Sequence, residues 1–295
     1  MNFDEMKAQM RDGQGFVAAL DQSGGSTPKA LKGYGVDDTA WTTEDEMFGL
    51  IHKMRQRIIE SPCFGNGKVI GAILFEKTME GESAGKSVPA RLNERGIVPF
   101  LKVDKGLEDE RDGAQLMKPN PGLEDMCNRA RELGVFGTKM RSVIKSANPA
   151  GIKNVVHQQF AEGARILSCG LIPMLEPEYD ITAADRAEGE KILLAAIEEG
   201  LDALPEGQQV MLKLSIPKDA GLYAGLAKHP KVLRVVALSG GYSTDEACRE
   251  LAKNPGMIAS FSRGLLQDLR ANQTDDEFDG TLSKAIDQIH TASVT

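Results

Sequence analysis

The feature that most constrains the fold of this chain is an alternation, repeated along its length, of short apolar runs with amphipathic stretches. Eight runs rich in β-branched residues are GFVAALD (15–21), KVIGAILF (68–75), VPFLKV (98–103), VFGTKMR (135–141), LIPMLEPE (171–178), QVMLKLS (209–215), VLRVVALS (232–239) and MIASFS (257–262). Nearly continuous apolar runs are typical of parallel strands buried on both faces. Eight such strands separated by helices predict an α/β fold, a closed (β/α)8 TIM barrel, with an open doubly wound sheet as the alternative.

The stretches between the runs carry signals for helix ends. Thr43 and Ser243 each precede a glutamate by three residues, which is the pattern of a capping box. Asn148 is followed by a proline, as expected for an N-cap and the first helical residue. Gly134 and Gly200 follow helix-like stretches and are predicted to end them.

Composition sets the class of the chain. The 295 residues suit one barrel of roughly 250 residues, and no shift in composition marks a second domain, so residues 1–295 are predicted to form a single domain. A net charge of −8 argues against a general nucleic-acid or membrane binder. The polar N-terminus lacks the apolar core of a signal peptide, so a cytoplasmic location is expected. Cysteines and histidines lack metal-ligand spacing, so neither a metal nor a cofactor is predicted.

Charged residues lie near the carboxyl ends of the apolar runs, where the chemistry of parallel barrels gathers. They are Asp21, Lys102, Lys139, Arg141, Glu176, Glu178, Lys213 and, just after the eighth run, Arg263. Strand residues alternate between faces, so Lys139 shares a face with Arg141, and Glu176 with Glu178. A buried layer of ion pairs would stabilise a barrel no better than apolar residues would. The convergence of these charges therefore favours a polar active site over a purely structural layer.

The lysines suggest a particular chemistry. An amine held in an apolar wall beside other cations is more easily deprotonated, and it can then attack a carbonyl to form a Schiff base. Lys213 lies between two leucines and fits this requirement. Glu176 and Asp21 are available as carboxylates that move protons. The pattern alone does not rank the lysines, and only its apolar flanks favour Lys213 over Lys102 and Lys139.

Two glycine-containing loops are candidates for phosphate binding. The first follows the seventh run and contains Ser239, Gly240 and Gly241 before a capped helix. Loops after strands seven and eight of such barrels commonly bind phosphate, through backbone N–H groups and a helix N-terminus. Arg263 can add a bidentate contact. The second loop, DQSGGST (21–27), is either a second phosphate site or an ordinary turn.

At the strand ends the sequence resembles class I fructose-bisphosphate aldolases. The matching segments occur in family order over residues 18–267: AALDQSGGS, GAILFEKT, VPFLKVDKG, GTKMR, MLEPE, LKLS, ALSGG and SFSRGLLQ. The resemblance implies a metal-independent enzyme of glycolysis and gluconeogenesis. Such an enzyme cleaves fructose 1,6-bisphosphate through a lysine Schiff base into glycerone phosphate and glyceraldehyde 3-phosphate. A phosphorylated sugar is the expected partner, and the oligomeric state stays open.

The resemblance also implies roles for individual residues. Lys213 would be the Schiff-base lysine, and Glu176 the proton shuttle of carbinolamine chemistry. Asp21 would orient the lysine and assist cleavage of the carbon–carbon bond. Lys139 would support carbinolamine turnover, and Glu178 would tune both lysines. The substrate-binding set would comprise Arg141 for orientation, Ser239, Gly240 and Arg263 at the C1 phosphate, and Ser23 and Lys102 towards the C6 phosphate or the substrate hydroxyls.

Several positions depart from the pattern of the familiar animal enzymes. Gln22 stands where they have glutamate, Met140 where they have tryptophan, and Ser262 where they have glycine. The chain also stops at Thr295, without their long C-terminal tail. These departures indicate the shorter, bacterial-type branch of the family.

Two rival functions remain at this point. One is another Schiff-base barrel, such as a transaldolase or an aldolase for a ketose with one phosphate. The other is a protein that binds phosphosugars without catalysis. The lysine on the sixth run and the second polar loop favour the bisphosphate aldolase. Binding alone would not need a lysine able to attack a carbonyl.

Overall fold

A computed structural model describes all residues from 1 to 295 and contains eight parallel strands that follow one another around a barrel. They are β1 (Phe16–Leu20), β2 (Val69–Leu74), β3 (Val98–Lys102), β4 (Gly137–Ile144), β5 (Ile172–Tyr179), β6 (Val210–Ser215), β7 (Val232–Leu238) and β8 (Met257–Ala259). Each strand pairs with the next in the chain, whereas β1 and β8 share no backbone ladder. The barrel is therefore nearly closed, with a seam between β1 and β8. The predicted (β/α)8 barrel is confirmed, and the doubly wound alternative is wrong.

Helices cover the outside of the barrel and its lower end. They are α1 (Phe3–Asp12), α2 (Ser26–Gly33), α3 (Glu44–Glu60), α4 (Glu76–Met79), α5 (Val88–Glu94), α6 (Leu123–Glu132), α7 (Pro149–Ser168), α8 (Arg186–Ala203), α9 (Thr244–Leu251), α10 (Arg263–Leu266) and α11 (Asp275–Ser293). The connection from β6 to β7 has only the 3-10 turn Leu226–Lys228 in place of an α-helix. None of the helices is long and apolar enough to span a membrane.

The predicted helix ends are confirmed with one exception. Thr43 and Ser243 form capping boxes, and the Asn148 side chain accepts hydrogen bonds from the first turn of α7. Gly200 was expected to end α8, but that prediction is wrong, because the helix continues to Ala203. A Cβ atom at Gly200 would lie 2.5 Å from the ring of Phe160. This glycine therefore serves the close packing of α8 against α7.

Apolar side chains fill the half of the barrel interior that lies at the amino ends of the strands, which we call the lower half. Met174 of β5 and Met211 of β6 belong to a cluster of 14 buried residues. Met6 and Met10 of α1 belong to it as well and close the barrel from below. We call this cluster the floor. Burial of one such side chain stabilises the fold by about 1.5–3 kcal/mol.

Candidate active site

The strands that build the floor become polar towards their carboxyl ends. On β6, the floor residue Met211 is followed two positions later by Lys213, which is only 4% exposed. On β5, Met174 is likewise followed by Glu176, which is 3% exposed. Because side chains on one face of a strand recur every second residue, the same inward face changes from apolar to charged along each strand.

A cluster of four charged side chains lies at this end of the barrel; three are buried and Asp21 is mostly buried. Lys213 Nζ is 3.0 Å from Glu176 Oε1, and Lys139 Nζ is 2.5 Å from Glu176 Oε2. Lys139 Nζ also donates a hydrogen bond of 3.0 Å to Asp21 Oδ2. Glu176 therefore bridges the two lysines with one oxygen each. The structure brings these four predicted residues together from β4, β5, β6 and the end of β1, and we call them the mouth cluster.

Electrostatics distinguishes the two lysines of the mouth cluster. Burial would lower the pKa of Lys139, but the fields of Asp21, Glu176 and Asp104 outweigh it and raise that pKa. Burial would likewise raise the pKa of Asp21, but Lys139 and the other nearby lysines hold it below its ordinary value. Lys139 is thus held as an ammonium ion between two carboxylates. Lys213 forms an ion pair with Glu176 alone.

Two further ion pairs flank the mouth cluster. Lys102 Nζ is 2.8 Å from Asp104 Oδ1 and donates to the Asp104 carbonyl at 3.0 Å. Arg141 Nε donates to Glu178 Oε2, and the Arg141 side chain is 40% exposed. Glu178 pairs with neither buried lysine, so any influence of its charge on them passes through space or through Arg141.

The loop after β7 is a tight turn built on two glycines. The Tyr242 N–H donates to the Ser239 carbonyl at 3.0 Å and closes a turn. Gly240 and Gly241 have φ angles of +60° and +127°, which side chains disfavour. A Cβ atom at Gly241 would lie 3.7 Å from Arg263 Nη2, so the guanidinium lies beside this loop. The structure therefore also brings together the predicted residues of the first phosphate loop.

Ser23 forms no hydrogen bond with the mouth cluster and lies in the turn that opens α2. Its N–H donates to Ser26 Oγ at 2.9 Å, and its carbonyl accepts from the same hydroxyl at 2.8 Å. Ser23 thus shapes the second glycine-containing loop through its backbone. No group of three or more histidine, cysteine, aspartate or glutamate side chains has the arrangement of metal ligands.

Gln159 of α7 supports the cluster and was missed by the sequence analysis. Its side-chain nitrogen donates to Ser142 Oγ at 2.8 Å and to the Met140 carbonyl at 3.2 Å. Its oxygen accepts from the Glu176 N–H at 3.2 Å. Gln159 therefore ties β4 to β5 behind the charged residues. A glutamine on the buried face of a long helix was the available signal.

A second missed group holds the loop after β7. Buried Arg186, in the first turn of α8, donates to Glu190 Oε1 at 2.7 Å and to Tyr242 Oη at 3.0 Å. It also donates to the Ile216 carbonyl in the loop after β6. The spacing of Arg186 and Glu190 is visible in the sequence, but pairs four residues apart usually lie on exposed helix faces.

The fold and the site together define a class of protein. A parallel (β/α)8 barrel with ionisable side chains gathered at the carboxyl ends of its strands has the architecture of a barrel enzyme. The family model for fructose-bisphosphate aldolase class-I matches residues 4–193, which is more than half of the chain. The chain therefore belongs to the class I fructose-bisphosphate aldolase family, and family membership supports a lyase activity. The predicted resemblance is confirmed.

Solved structures agree on the fold. A fructose-bisphosphate aldolase from Plasmodium falciparum superposes with a TM-score of 0.76 at 19% identity, covering 99% of this chain and 94% of that chain. A protein of Corynebacterium glutamicum, solved as a structural-genomics target, superposes with a TM-score of 0.54 at 14% identity, covering 98% and 92% of the two chains. At these identities the matches establish the shared barrel.

Proposed function

We propose that the protein is a Schiff-base aldolase that cleaves fructose 1,6-bisphosphate reversibly into glycerone phosphate and glyceraldehyde 3-phosphate, with Lys213 as nucleophile. The observation that carries the proposal is the position of Glu176 between two lysines, of which only Lys139 has a second carboxylate partner. The expected setting is glycolysis and gluconeogenesis in the cytoplasm.

The charges support the choice of nucleophile. Lys139 is held as a cation by Asp21 and Glu176, and Lys102 is engaged with Asp104. Lys213 has a single partner, Glu176 Oε1, at 3.0 Å. The ammonium of Lys213 can give its proton to that oxygen, and the free amine can then attack. Lys139 holds the other oxygen of Glu176 at 2.5 Å and so orients the carboxylate towards Lys213.

The proposed reaction begins at the ketone carbon of the substrate. The Lys213 amine adds to C2, and Glu176 returns a proton to the resulting hydroxyl, which leaves as water and produces an iminium ion. Asp21 accepts the proton of the C4 hydroxyl. The electrons of the C3–C4 bond move into the iminium, and glyceraldehyde 3-phosphate departs. Asp21 returns its proton to C3 of the enamine that remains, and hydrolysis of the iminium releases glycerone phosphate and restores the Lys213 amine.

The phosphate groups provide the proposed specificity. Arg263 beside the loop of Ser239, Gly240 and Gly241 would bind the C1 phosphate with a charge-assisted, bidentate contact. Lys102 and the loop that contains Ser23 would lie towards the other end of the substrate. Arg141, partly exposed at the same end of the barrel, would orient the substrate hydroxyls.

Reductive trapping tests this proposal directly. The protein is incubated with fructose 1,6-bisphosphate or glycerone phosphate, reduced with borohydride and mapped by peptide analysis. We expect the modification on Lys213 and its absence in Lys213→Met. Modification of Lys102 or Lys139 alone would sink the assignment. Prolonged chelation should leave turnover unchanged, and a large loss that zinc restores would favour a metal-dependent reaction.

The rival functions give different results in the same assay. An aldolase for a ketose with one phosphate would cleave fructose 1-phosphate with a kcat/KM at least equal to that for the bisphosphate. A transaldolase would transfer the three-carbon unit to an acceptor aldehyde faster than it releases glycerone phosphate. A phosphosugar-binding protein would bind the ligand with neither cleavage nor trapping.

A further inference from the structure

The seam between β1 and β8 is bridged by side chains at the mouth of the barrel. Although these strands share no backbone ladder, Gln22 Nε2 donates to Ser262 Oγ at 2.5 Å, across 240 residues of sequence. The same amide nitrogen donates to the Ala19 carbonyl at 3.0 Å. Gln22 therefore joins the loop after β1 to the loop after β8.

Arg55 of α3 holds Gln22 from behind. Its guanidinium is fully buried and donates to the Gln22 carbonyl at 2.6 Å and to Gln22 Oε1 at 3.2 Å. It also donates to Thr78 Oγ1 at 2.7 Å. The Gln22 amide oxygen thus accepts from Arg55 while its nitrogen donates to Ser262.

Arg55 forms no ion pair, which is unusual for a fully buried cation. Burial lowers its pKa to about 10, and only the field of Asp21 acts in the opposite direction. The buried positive charge therefore acts on the residue that precedes Gln22. Arg55 is held by hydrogen bonds to neutral groups and has no carboxylate partner of its own.

The two partners at the seam adjoin functional residues. Gln22 directly follows Asp21, the carboxylate of the mouth cluster, and Ser262 directly precedes Arg263, which lies beside the phosphate loop.

We propose that Gln22 is a positioning residue that acts on both ends of the substrate. Held by Arg55, it orients Asp21 through the shared backbone and orients Arg263 through the hydrogen bond to Ser262. Proton transfer and phosphate binding then depend on one hydrogen-bonded unit at the seam. This inference rests on the proposed aldolase function.

Steady-state kinetics of the full chain with fructose 1,6-bisphosphate test whether Gln22 positions both Asp21 and Arg263. Ser262→Ala removes one neutral hydrogen bond and should raise KM about 3- to 10-fold with kcat nearly unchanged. Gln22→Ala should raise KM by a similar factor and also lower kcat, since Asp21 loses its support. The double variant should have the KM of Gln22→Ala, because the second change removes a bond already lost. Ser262→Thr keeps the hydroxyl and should restore the KM, while Gln267→Ala is an exposed control.

Three results would overturn the inference. They are an unchanged KM in both single variants, additive effects in the double variant, and a fall in melting temperature without any change in KM or kcat. Borohydride trapping of the same proteins separates this failure from that of the proposed function. Trapping at Lys213 in the unmodified protein, with unaltered kinetics in the variants, would defeat only the role of Gln22. An untrapped unmodified protein would overturn the proposed function and this inference with it.

Discussion

The floor and the mouth cluster share strands β5 and β6 and are both buried there, yet they differ in how burial is made favourable. In the floor, Met174 and Met211 gain from leaving water and need no particular partner. In the mouth cluster, Glu176 and Lys213 would each cost several kcal/mol if buried alone, and they are tolerated because opposite charges face one another. Burial alone therefore does not distinguish an apolar layer from a charged one.

The floor and the mouth cluster should therefore respond differently to substitution. Loss of volume in the floor should lower stability and leave the chemistry intact. Under the proposed mechanism, loss of charge in the mouth cluster removes a proton donor or acceptor and should affect turnover first. Variants at matched positions of one strand can separate the two effects.

The largest effect is expected for Glu176→Gln, which keeps the size and hydrogen bonding of the side chain but ends its proton exchange. Loss of a general acid–base group lowers kcat by about 100- to 10,000-fold. Substrate should still bind, which equilibrium binding measurements can check. Turnover and thermal unfolding are measured together, because a purely structural Glu176 would lose stability and keep its rate. Near-normal turnover would make Glu178 or Asp21 the candidate for the shuttle.

The matched change in the floor is Met174→Ala, two residues earlier on β5. It leaves a cavity beneath the mouth cluster and should lower the free energy of unfolding by about 2–5 kcal/mol. At a temperature where the variant is folded, kcat should stay within about twofold of the original. Denaturant unfolding measures the change in the free energy of unfolding, and steady-state kinetics measure the change in kcat. A loss of kcat as large as that of Glu176→Gln would abolish the distinction between floor and mouth.

A smaller effect is expected for Arg263→Ala, beside the loop of Ser239, Gly240 and Gly241. The loss of one charge-assisted contact should weaken binding of a phosphorylated ketose by about 1.5–3 kcal/mol. An unphosphorylated ketose should be affected far less. Arg249→Ala, an exposed arginine on α9, is the control. Equal losses for both substrates would show that Arg263 does not contact phosphate.

The smallest effect near neutral pH is expected from titration of the mouth cluster. The pKa of Asp21 lies below its value of about 3.9 in an unfolded chain, so its stabilising contribution is present above about pH 4 and lost as pH falls further. The pKa of Lys139 lies above about 10.4, so its contribution is complete below about pH 10 and lost as pH rises beyond it.

Unfolding measured as a function of pH checks this expectation. The difference in unfolding free energy between the unmodified protein and Asp21→Asn should be constant from about pH 5 to 9 and shrink below about pH 4. The corresponding difference for Met174→Ala should not vary with pH, because no charge changes. A slope between pH 5 and 9 for Asp21→Asn would contradict the pKa directions in the cluster.

The strands could be predicted from the sequence to within a few residues, because a strand buried on both faces needs an apolar run wherever it lies. The largest differences are at β4, which extends to Ile144, and at β8, which ends at Ala259. β8 is paired only with β7, so its last predicted residues lie in the loop at the seam. Capping residues were predictable for a similar reason, since a cap interacts with the turn that follows it.

The sequence by itself therefore determined the number and order of the strands, the charged character of their carboxyl ends and most of the helix ends. All of these depend on residues close together in the chain. Only the tertiary structure decided that Lys139 has two carboxylate partners and Lys213 one, that Gln159 holds Glu176, and that Gln22 meets Ser262. Such contacts depend on strand register and on the width of the barrel. Those quantities arise from the packing of the whole chain, and no local pattern records them.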